Sequence, residues 1–576
     1  MEVKRMKHKL RIGLLLDSDM IAAWSYKMLE EIKESNYAEI VVIVENNGIK
    51  KRKTTLKNVL GKFRGIFFSV YNRLDKKLHK PNPDAFSLKN INNLISVPKI
   101  QVVPNQTLYS DSLPKQDISE IETYYVDIFI RMGFRILRGD ILTVAKYGIW
   151  SYHHGDNSVN RGGPAGFWEV FRGWDVTGVT LQILNEDLDN GIILYKSFSH
   201  TANSSVILNK NNYYWKALSF LPNKMRELHD LGENDFFENI KELNSNPEFY
   251  SNPLYQPKNI RNIEMLYFIF STVRNVVKGK ILNQIYQDQW ILLYKLNTTD
   301  SISKSFFRFN KMIPPKDRFW ADPFVIQKEN SSYIFIEELL YKTRKGHISV
   351  IVMDCNGKYS EPVKVLEADY HMSYPFLIEE DGALFMIPET KQNKTIDLYR
   401  CVEFPTKWDY EKTLINDIEA VDATITVKDN IYWLFANVTT NKGASSWDEL
   451  HIFSAPSLFS NHWKVHPKNP VISDVRQARP AGNFFTYNNN LYRPSQNSSR
   501  RYGYGMKINR VTELNNNNYK EETVNSIYPN WDKSLNAVHT INSVGNLTVI
   551  DSLMKRKRGI WQMAGNLLMK FTGNIR

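Results

Sequence analysis

The chain has 576 residues, of which 42% are apolar and 23% are charged, and its formal net charge is +13. This composition is that of an ordinary soluble globular protein, and the length suggests about three structural units. Only two cysteines, Cys355 and Cys401, are present. They exclude a disulfide framework and offer no zinc-ligand spacing, so we expect a reducing compartment and no metal site. The apolar runs are too short for a transmembrane helix.

Positive charge concentrates in residues 50–68 and 555–576, and both stretches have apolar residues at roughly helical spacing. Such stretches are typical of contacts with a membrane surface or an anionic polymer, and also of a solvated helix face. The sequence carries no recognisable nucleic-acid-binding motif, so no specific nucleic-acid partner is predicted. We expect a cytoplasmic protein whose basic stretches either contact a membrane peripherally or stay in solvent.

Residues 8–205 have the pattern of an α/β domain. Two apolar runs, 12–16 and 40–44, flank a segment of helical period, and further strands and helices alternate after residue 126. This alternation predicts a doubly wound, mainly parallel sheet. Ligands bind such sheets at the carboxyl ends of the strands.

The remaining chain is predicted to contain a helical linker at 206–285, an all-β domain at 286–555 and a basic tail at 556–576. The β domain shows a weak repeat in which a polar residue precedes two strands joined by a hairpin turn. Repeats of about 40–50 residues, each with about four strands, indicate the blades of a propeller. Five such starts predict five blades; the residues that mark them are Asp322, Tyr374, Asp422, Arg479 and His539.

One stretch, residues 148–191, concentrates residue types that carry chemistry. It contains two adjacent histidines, a Gly-Gly-Pro turn and an aspartate in a turn, with an apolar strand on each side. From the residues alone, the stretch is either a loop-rich piece of core or a catalytic centre.

The same stretch resembles the signature of the 10-formyltetrahydrofolate-dependent formyltransferases and the related formyl hydrolases. That signature is roughly Asn-x-His, then Arg-Gly, Thr-Gly-x-Thr and Leu-Asp-x-Gly. The matching residues here are His153, Arg161, Gly162, Thr177, Gly178, Thr180, Leu188, Asp189 and Gly191. The resemblance covers about residues 10–200 and rests on four blocks at fixed spacing. It implies an enzyme with 10-formyltetrahydrofolate as its cofactor.

The resemblance also implies residue roles. His153 would donate to the oxyanion that forms when an amine attacks the formyl carbon, and Asp189 would orient His153 and relay a proton. The family asparagine is replaced here by Ser151, which offers one short donor instead of an amide. For the adjacent His154 both a structural and a catalytic role stay open. The folate is expected against the segment before the signature, whose candidate residues are Met132, Gly133, Phe134 and Ile136.

The second half resembles the N-terminal domain of the plant glucosamine inositolphosphorylceramide transferases. The stretches that carry this resemblance include "RFWADPFVI", "YHMSYPFLIEEDGALFMIPET" and "LYRPSQNSSRRYG". That domain is in turn similar to the five-bladed propellers of arabinan- and fructan-active glycosidases. The separate glycosyltransferase domain of the plant proteins has no counterpart here, so glycosyl transfer is not implied.

Acidic residues around a propeller channel would suit carbohydrate chemistry. Asp322, Glu389 and Asp422 begin or end strands of successive repeats, and glycoside hydrolysis requires two carboxylates that flank the sugar bond. Stacking and hydrogen-bonding residues for a sugar would be Trp320, Tyr374, Arg479, Arg493 and His539. These residues could equally cap strands and pair between blades.

The sequence therefore predicts formyl transfer to an amino group, preferably that of an amino sugar destined for a surface glycan. The expected partner is an amino-sugar or glycan substrate. Two alternatives stay open: a carbohydrate-processing hydrolase whose site lies in the propeller, and a non-catalytic glycan-binding protein with a degenerate formyltransferase domain.

Overall fold

The structure, a computed structural model, describes residues 8–48, 66–187, 190–245, 261–296 and 306–558. It divides into two compact units, Met1–Thr272 with Thr440–Ser445, and Val273–Thr439 with Ser446–Arg576. Within the described ranges, no helix is long and apolar enough to cross a membrane. The two basic stretches lie outside the described residues, except for 66–68 and 555–558.

The first unit alternates strands and helices, as its sequence pattern predicts. Its strands, β1 to β12 in chain order, are Leu10–Leu16, Met20–Ala22, Ala38–Asn46, Leu88–Asn90, Lys99–Val102, Asn105–Gln106, Ser110–Ser112, Ile128–Arg131, Ile136–Leu137, Ile149–His153, Val176–Ile183 and Ile192–His200. Its helices, α1 to α8, are Ala23–Glu34, Ile66–Leu78, Lys115–Glu122, Ile141–Val144, Phe167–Arg172, Val206–Ala217, Phe220–Leu231 and Glu233–Leu243. Helix α9, Asn262–Ile285, follows them.

Seven of these strands form one sheet in the order β12-β11-β10-β8-β1-β3-β5. The strands from β10 to β5 run parallel, and β11 and β12 continue the sheet antiparallel to their neighbours. The chain fills one side of β1 with β3 and β5 and then returns to the other side with β8 and β10. The order therefore reverses between β1 and β8, which is where doubly wound sheets hold ligands.

Both faces of this sheet are buried. Alternate residues of β1 enter two separate apolar cores, with Leu14 in one and Leu15 in the other. The helices α6, α7 and α8 complete the core that contains Leu14, through residues such as Tyr213, Leu221 and Phe236. Residues 206–243 thus cover the sheet because their apolar faces need a partner, whereas the sequence pattern treats them as part of a linker.

The ends of β1 and β8 approach each other closely. The carbonyl of Leu15 accepts the N–H groups of Met132 and Gly133 at 3.0 and 2.8 Å. A Cβ at Gly133 would lie 2.4 Å from the backbone nitrogen of Asp17. Only glycine therefore fits at this position without displacing backbone.

We expect Gly133→Ala to lower the free energy of unfolding of the first unit by about 2 kcal/mol or more, because backbone must move to admit the methyl group. Chemical denaturation followed by circular dichroism measures the change. The matched control is Gly279→Ala in α9, where an added Cβ meets nothing within 4 Å and alanine favours the helix. Equal stability of the two variants would contradict the close approach of β1 and β8.

The regular structure in the described residues of the second unit consists of strands, apart from short turns of helix and the end of α9. Strands β13 and β14 are Tyr286–Leu296 and Asn310–Met312. Four sheets follow, β15–β18 (Arg318–Lys328, Ser331–Leu340, Lys345–Asp354, Val363–Leu366), β19–β22 (Ser373–Glu380, Ala383–Glu389, Thr395–Glu403, Lys407–Asn416), β23–β27 (Ala420–Lys428, Ile431–Val438, Glu449–Ala455, Lys464–Val465, Ile472–Ser473) and β28–β31 (Phe485–Tyr487, Asn490–Asn497, Gly505–Leu514, Tyr519–Ile527). The last strands, β32–β34, are Leu535–Ala537, Ile541–Val544 and Leu547–Lys557.

The described residues of the second unit thus form five sheets, in agreement with the five predicted blades. The fifth sheet joins the two ends of the unit, because β13 pairs with β34 over its whole length and β14 and β32 flank that pair. An N-terminal strand that completes the last sheet closes a ring of blades and leaves no open edge between first and last.

Three predicted blade markers occupy the same unusual backbone position. Asp322, Tyr374 and Asp422 have φ angles of 50°, 45° and 54°, and each lies at a bulge in the first strand of its sheet. A left-handed conformation at an aspartate or tyrosine costs free energy and persists only where surrounding contacts hold it. The repeated sequence feature is therefore a repeated backbone bulge, which redirects one polar side chain per blade.

Candidate functional site

Strand β10 carries the predicted catalytic residues at its carboxyl end, beside β8. Side chains alternate along a strand, so Ser151 and His153 lie on one face of the sheet, and Tyr152 lies on the other. His154 lies on the Tyr152 face, because the two rings stack with their centroids 5.6 Å apart. The two adjacent histidines therefore lie in different environments, on opposite faces of the sheet.

The loop after His153 is held by the other motif residues. The Nε2–H of His153 donates to the carbonyl of Asn160 at 2.7 Å, since a carbonyl can only accept. Thr180 donates to the carbonyl of Gly155 at 3.2 Å, and a Cβ at Gly178 would lie 2.7 Å from the side chain of Asp156. The Thr-Gly-x-Thr block thus fixes the loop that orients His153.

Arg161 and Gly191 connect this loop to the turn that contains the predicted aspartate. The guanidinium of Arg161 donates to the carbonyl of Asn157 at 2.7 Å and to the side chain of Asn190 at 3.4 Å. A Cβ at Gly191 would lie 2.0 Å from the carbonyl of Ile183, so only glycine fits there. Leu188 and Asp189 lie outside the described residues, and the pairing of Asp189 with His153 stays a prediction.

Ser151, at the position of the family asparagine, has a charged neighbour that the sequence analysis did not identify. Ser151 is opposite Arg131 in the register of β10 with β8, and the Nη1 of Arg131 lies 3.3 Å from its hydroxyl oxygen. The Nη2 of Arg131 donates to the carbonyls of Phe134 and Arg135 at 3.0 and 2.8 Å. A fixed guanidinium therefore lies beside the shortened side chain.

A cavity of about 360 Å³ opens at the point where the strand order reverses. Three of the four predicted folate residues line it, namely Met132, Gly133 and Phe134, whereas Ile136 lies in β9 and pairs with β7. The N–H groups of those three residues all donate within the protein, to the carbonyl of Leu15 and the carboxylate of Asp17. They therefore offer an apolar surface to a ligand rather than N–H donors.

His154 lines this cavity inside an aromatic cluster. Its ring stacks on Tyr214 at 3.8 Å and meets Trp24 edge-on at 5.4 Å. Burial, together with the nearby His153 and Lys210, lowers the pKa of His154 well below its usual value. Its Nδ1 is buried without a hydrogen-bond partner. His154 is therefore a neutral imidazole at the cavity wall, with one nitrogen available.

Glu169, in α5, is a candidate residue that sequence reasoning missed. Its side chain is buried beside Asn160, the residue whose carbonyl holds His153, and burial raises the pKa of Glu169 from 4.5 to about 7. A buried carboxyl that titrates near neutral pH next to a candidate catalytic histidine is a common feature of active sites. The available signal was a single acid within the otherwise aromatic and apolar segment "FWEVF".

Glu169 should make the stability of the first unit depend on pH. Its folded-state pKa is raised, so the folded protein binds the proton more tightly and stability falls as pH rises from about 4.5 to 7. We expect Glu169→Gln to remove most of this loss, which amounts to roughly 3 kcal/mol at most. Denaturation at pH 5 and pH 8 compares the variant with the wild type. An unchanged pH dependence would contradict the burial of this carboxyl.

The second unit gathers charged side chains around the bulged strands. Arg479 donates to both oxygens of Asp422, at 2.5 and 3.1 Å, and its Nη2 lies 3.7 Å from Glu389. The ring of Tyr502 lies over the Arg479 guanidinium, 4.9 Å from its centre. Arg479 thus contacts both Asp422 and Glu389.

His539 bridges two aspartates in the same region. Its Nε2 lies 3.2 Å from Asp322 and its Nδ1 lies 2.8 Å from Asp551. Burial alone would lower the pKa of His539, but the two carboxylates raise it to about 10. Among the described residues, the potential ligand atoms of Asp322, His539 and Asp551 also lie close enough together to hold a metal ion, within 4.8 Å of one another. Because both ring nitrogens face carboxylates, the geometry is that of an imidazolium between two anions.

The carboxyls of this region separate into two protonation states. Burial and the negative charge of Asp422 raise the pKa of Glu389 to about 8. Burial also raises the pKa of Asp322, but His539 outweighs it and holds that pKa below its usual value. At neutral pH the region therefore contains both a protonated and an ionised carboxyl, which is the pairing that acid–base catalysis requires.

Three other predicted sugar contacts are engaged in packing instead. Arg493 is fully buried and bonds Glu521 at 2.8 and 2.7 Å, and the indole of Trp320 is buried with its N–H directed to Glu338. The hydroxyl of Tyr374 accepts the N–H of Gly482 at 2.8 Å and contacts Thr424. These side chains stabilise neighbouring strands, because each buried polar group requires a partner.

Residues 310–549 match the family model described as "Glucosamine inositolphosphorylceramide transferase 1, N-terminal". The protein of that name from Arabidopsis thaliana is 32% identical over 209 residues, which are 36% of this chain and 27% of the relative. The chain thus spans about a quarter of the length of this relative.

A separate similarity concerns the first half. Methionyl-tRNA formyltransferase from Prochlorococcus marinus (strain AS9601) is 29% identical over 126 residues, which are 22% of this chain and 37% of that protein. Among solved structures, arabinanase Arb43A from Bacillus subtilis matches 41% of this chain and 93% of its own, with 13% identity and a TM-score of 0.31. The chain therefore combines a formyltransferase-like part with a part related to the plant transferases.

Proposed function

We propose that the first unit transfers a formyl group from 10-formyltetrahydrofolate to the amino group of a sugar. The observation that carries this proposal is the convergence of the motif blocks on one loop. Thr180 and Gly178 hold the segment that orients His153, and Arg161 ties it to the turn before Gly191. The similarity to methionyl-tRNA formyltransferases supports the same reaction class.

The donors at this edge suit a reacting carbonyl. 10-Formyltetrahydrofolate would supply the formyl group when bound, and the guanidinium of Arg131 and the hydroxyl of Ser151 are hydrogen-bond donors at the strand ends where ligands bind. The proton on Nε2 of His153 is fixed by the Asn160 carbonyl, which gives the ring a single orientation. Met132, Gly133 and Phe134 would pack against the folate, because their N–H groups already donate within the protein.

The cavity suits a small polar acceptor with a flat face. Its volume of about 360 Å³ lies at the lower end of the range for ligand pockets. The rings of Trp24, Tyr152 and His154 line it, on the face of the sheet opposite to the side chains of Ser151 and His153, and aromatic faces commonly pack against sugars. The carboxylate of Asp17 also lines it and would accept a hydrogen bond from an amino group. The name of the plant relative refers to glucosamine, an amino sugar. We therefore propose an amino-sugar substrate of a glycan pathway, in the cytoplasm.

The direct test incubates the protein with 10-formyltetrahydrofolate and a panel of nucleotide-linked amino sugars, and detects formylated sugar by mass spectrometry. We expect His153→Ala to lower the rate by about 10²–10³-fold, because the residue expected to donate to the oxyanion is lost. His462→Ala, an exposed histidine of the second unit, should keep full activity. A folded wild-type protein that formylates no amino sugar of the panel would contradict the proposal.

A second candidate function is carbohydrate hydrolysis. It is favoured because the second unit holds one protonated and one ionised carboxyl at neutral pH. Glu389, with its pKa of about 8, would act as the general acid, and the ionised Asp322 would act as the base or nucleophile. The similarity of residues 310–549 to a carbohydrate-related family fits such a site. If neither role applies, the same cluster would serve a module that binds glycans without turnover.

We expect Glu389→Gln to abolish any hydrolysis of arabinan- or fructan-type oligosaccharides, because an amide cannot donate the proton. Wild-type activity should fall above about pH 8 as Glu389 ionises. Chromatography of the released sugars gives the measurement, and the exposed Glu379→Gln is the matched control. Binding without cleavage by both variants and the wild type would instead identify a glycan-binding module.

A further inference from the structure

Arg131 has a position for which the motif gives no reason. It ends β8, faces Ser151 across the strand pair and lines the cavity at the strand-order reversal. Ser151 occupies the place where the formyltransferase signature has an amide donor, and a serine hydroxyl is shorter and offers one hydrogen. We infer that the guanidinium of Arg131 supplies the donor that Ser151 cannot, and that the two form one compensated pair. The inference rests on the proposed formyl transfer.

The guanidinium is fixed before any ligand binds. Its Nη2 donates to two carbonyls of the following turn, those of Phe134 and Arg135, which sets the plane of the group. Its Nη1 points to the hydroxyl oxygen of Ser151 at 3.3 Å. Donors that are already oriented stabilise developing charge without a reorganisation cost at the moment of reaction.

In the proposed reaction, negative charge develops on the formyl oxygen. The lone pair of the neutral acceptor amine forms the new C–N bond, and the electrons of the formyl C=O double bond move to its oxygen. They return as the old C–N bond breaks, and the proton lost by the amine passes to the departing nitrogen. A cationic donor near that oxygen is favoured over a neutral one, because charge-assisted hydrogen bonds are about twice as strong.

The size of the expected effect follows from oxyanion donors in general, whose removal costs about 10²–10³-fold in kcat. Arg131→Met keeps most of the side-chain length and removes the donors, and we expect a loss of this size in kcat with a small change in KM. Ser151→Asn restores an amide beside the reaction. In the Arg131→Met background it should therefore recover at least tenfold of the lost kcat, whereas in the wild-type background it should change kcat little.

This rescue separates catalysis from structure. If Arg131 only held the turn at 134–135, an amide at position 151 could not restore activity. The matched control is Arg135→Met, which removes a guanidinium from the same turn that is bonded to Asp111 and lies outside the cavity lining. It should lower stability and leave kcat near that of the wild type. Circular dichroism and tetrahydrofolate binding, followed by tryptophan fluorescence, establish that each variant is folded.

The outcomes distinguish the two proposals. An active wild type with an equally active Arg131→Met variant overturns the role of Arg131 and leaves formyl transfer intact. A folded Arg131→Met variant that binds tetrahydrofolate, has lost activity and is not rescued by Ser151→Asn also overturns the compensated pair. A wild type that transfers no formyl group overturns both proposals together.

Discussion

The first unit depends on the meeting of β1 and β8. One carbonyl, that of Leu15, accepts two N–H groups from the turn after β8, and Gly133 lies against the backbone of Asp17. This contact fixes the height at which the two strands end. It therefore sets where the cavity opens and where Arg131 meets Ser151. A site formed by backbone at strand ends tolerates variation in the side chains around it.

The sequence predicted the architecture well because the spacing of apolar and polar residues determines which strands and helices form. Apolar runs separated by helical segments require a covered parallel sheet, and the repeated polar starts predicted five blades. The sequence did not indicate which backbone conformation those starting residues adopt. Asp322, Tyr374 and Asp422 adopt positive φ angles at bulges, and no local rule assigns such a conformation to tyrosine. The alternation of residues along a strand, by contrast, already implied that His153 and His154 differ in environment.

The site was less predictable, because burial and partners depend on distant chain. Glu169 belongs to a short helix, and its raised pKa arises from the packing around it. Arg131 becomes a candidate site residue only in the folded protein, where β8 lies beside β10 and brings it to Ser151. Arg493 is a predicted sugar contact, yet Glu521, 28 residues later, holds it in the interior. The sequence pattern predicts a linker for helices α6 to α8 because their charged faces dominate it, whereas their apolar faces complete the core.

The closure of the second unit has a consequence for biosynthesis. Strand β13 begins at Tyr286, but its partner β34 ends at Lys557, so the fifth sheet cannot form until nearly the whole unit has left the ribosome. Until then, the strand that will seal the ring has an unpaired edge, and such edges invite association with other chains. Translation rate and chaperone access should therefore affect the yield of this unit, since its closing contact is among the most distant in sequence.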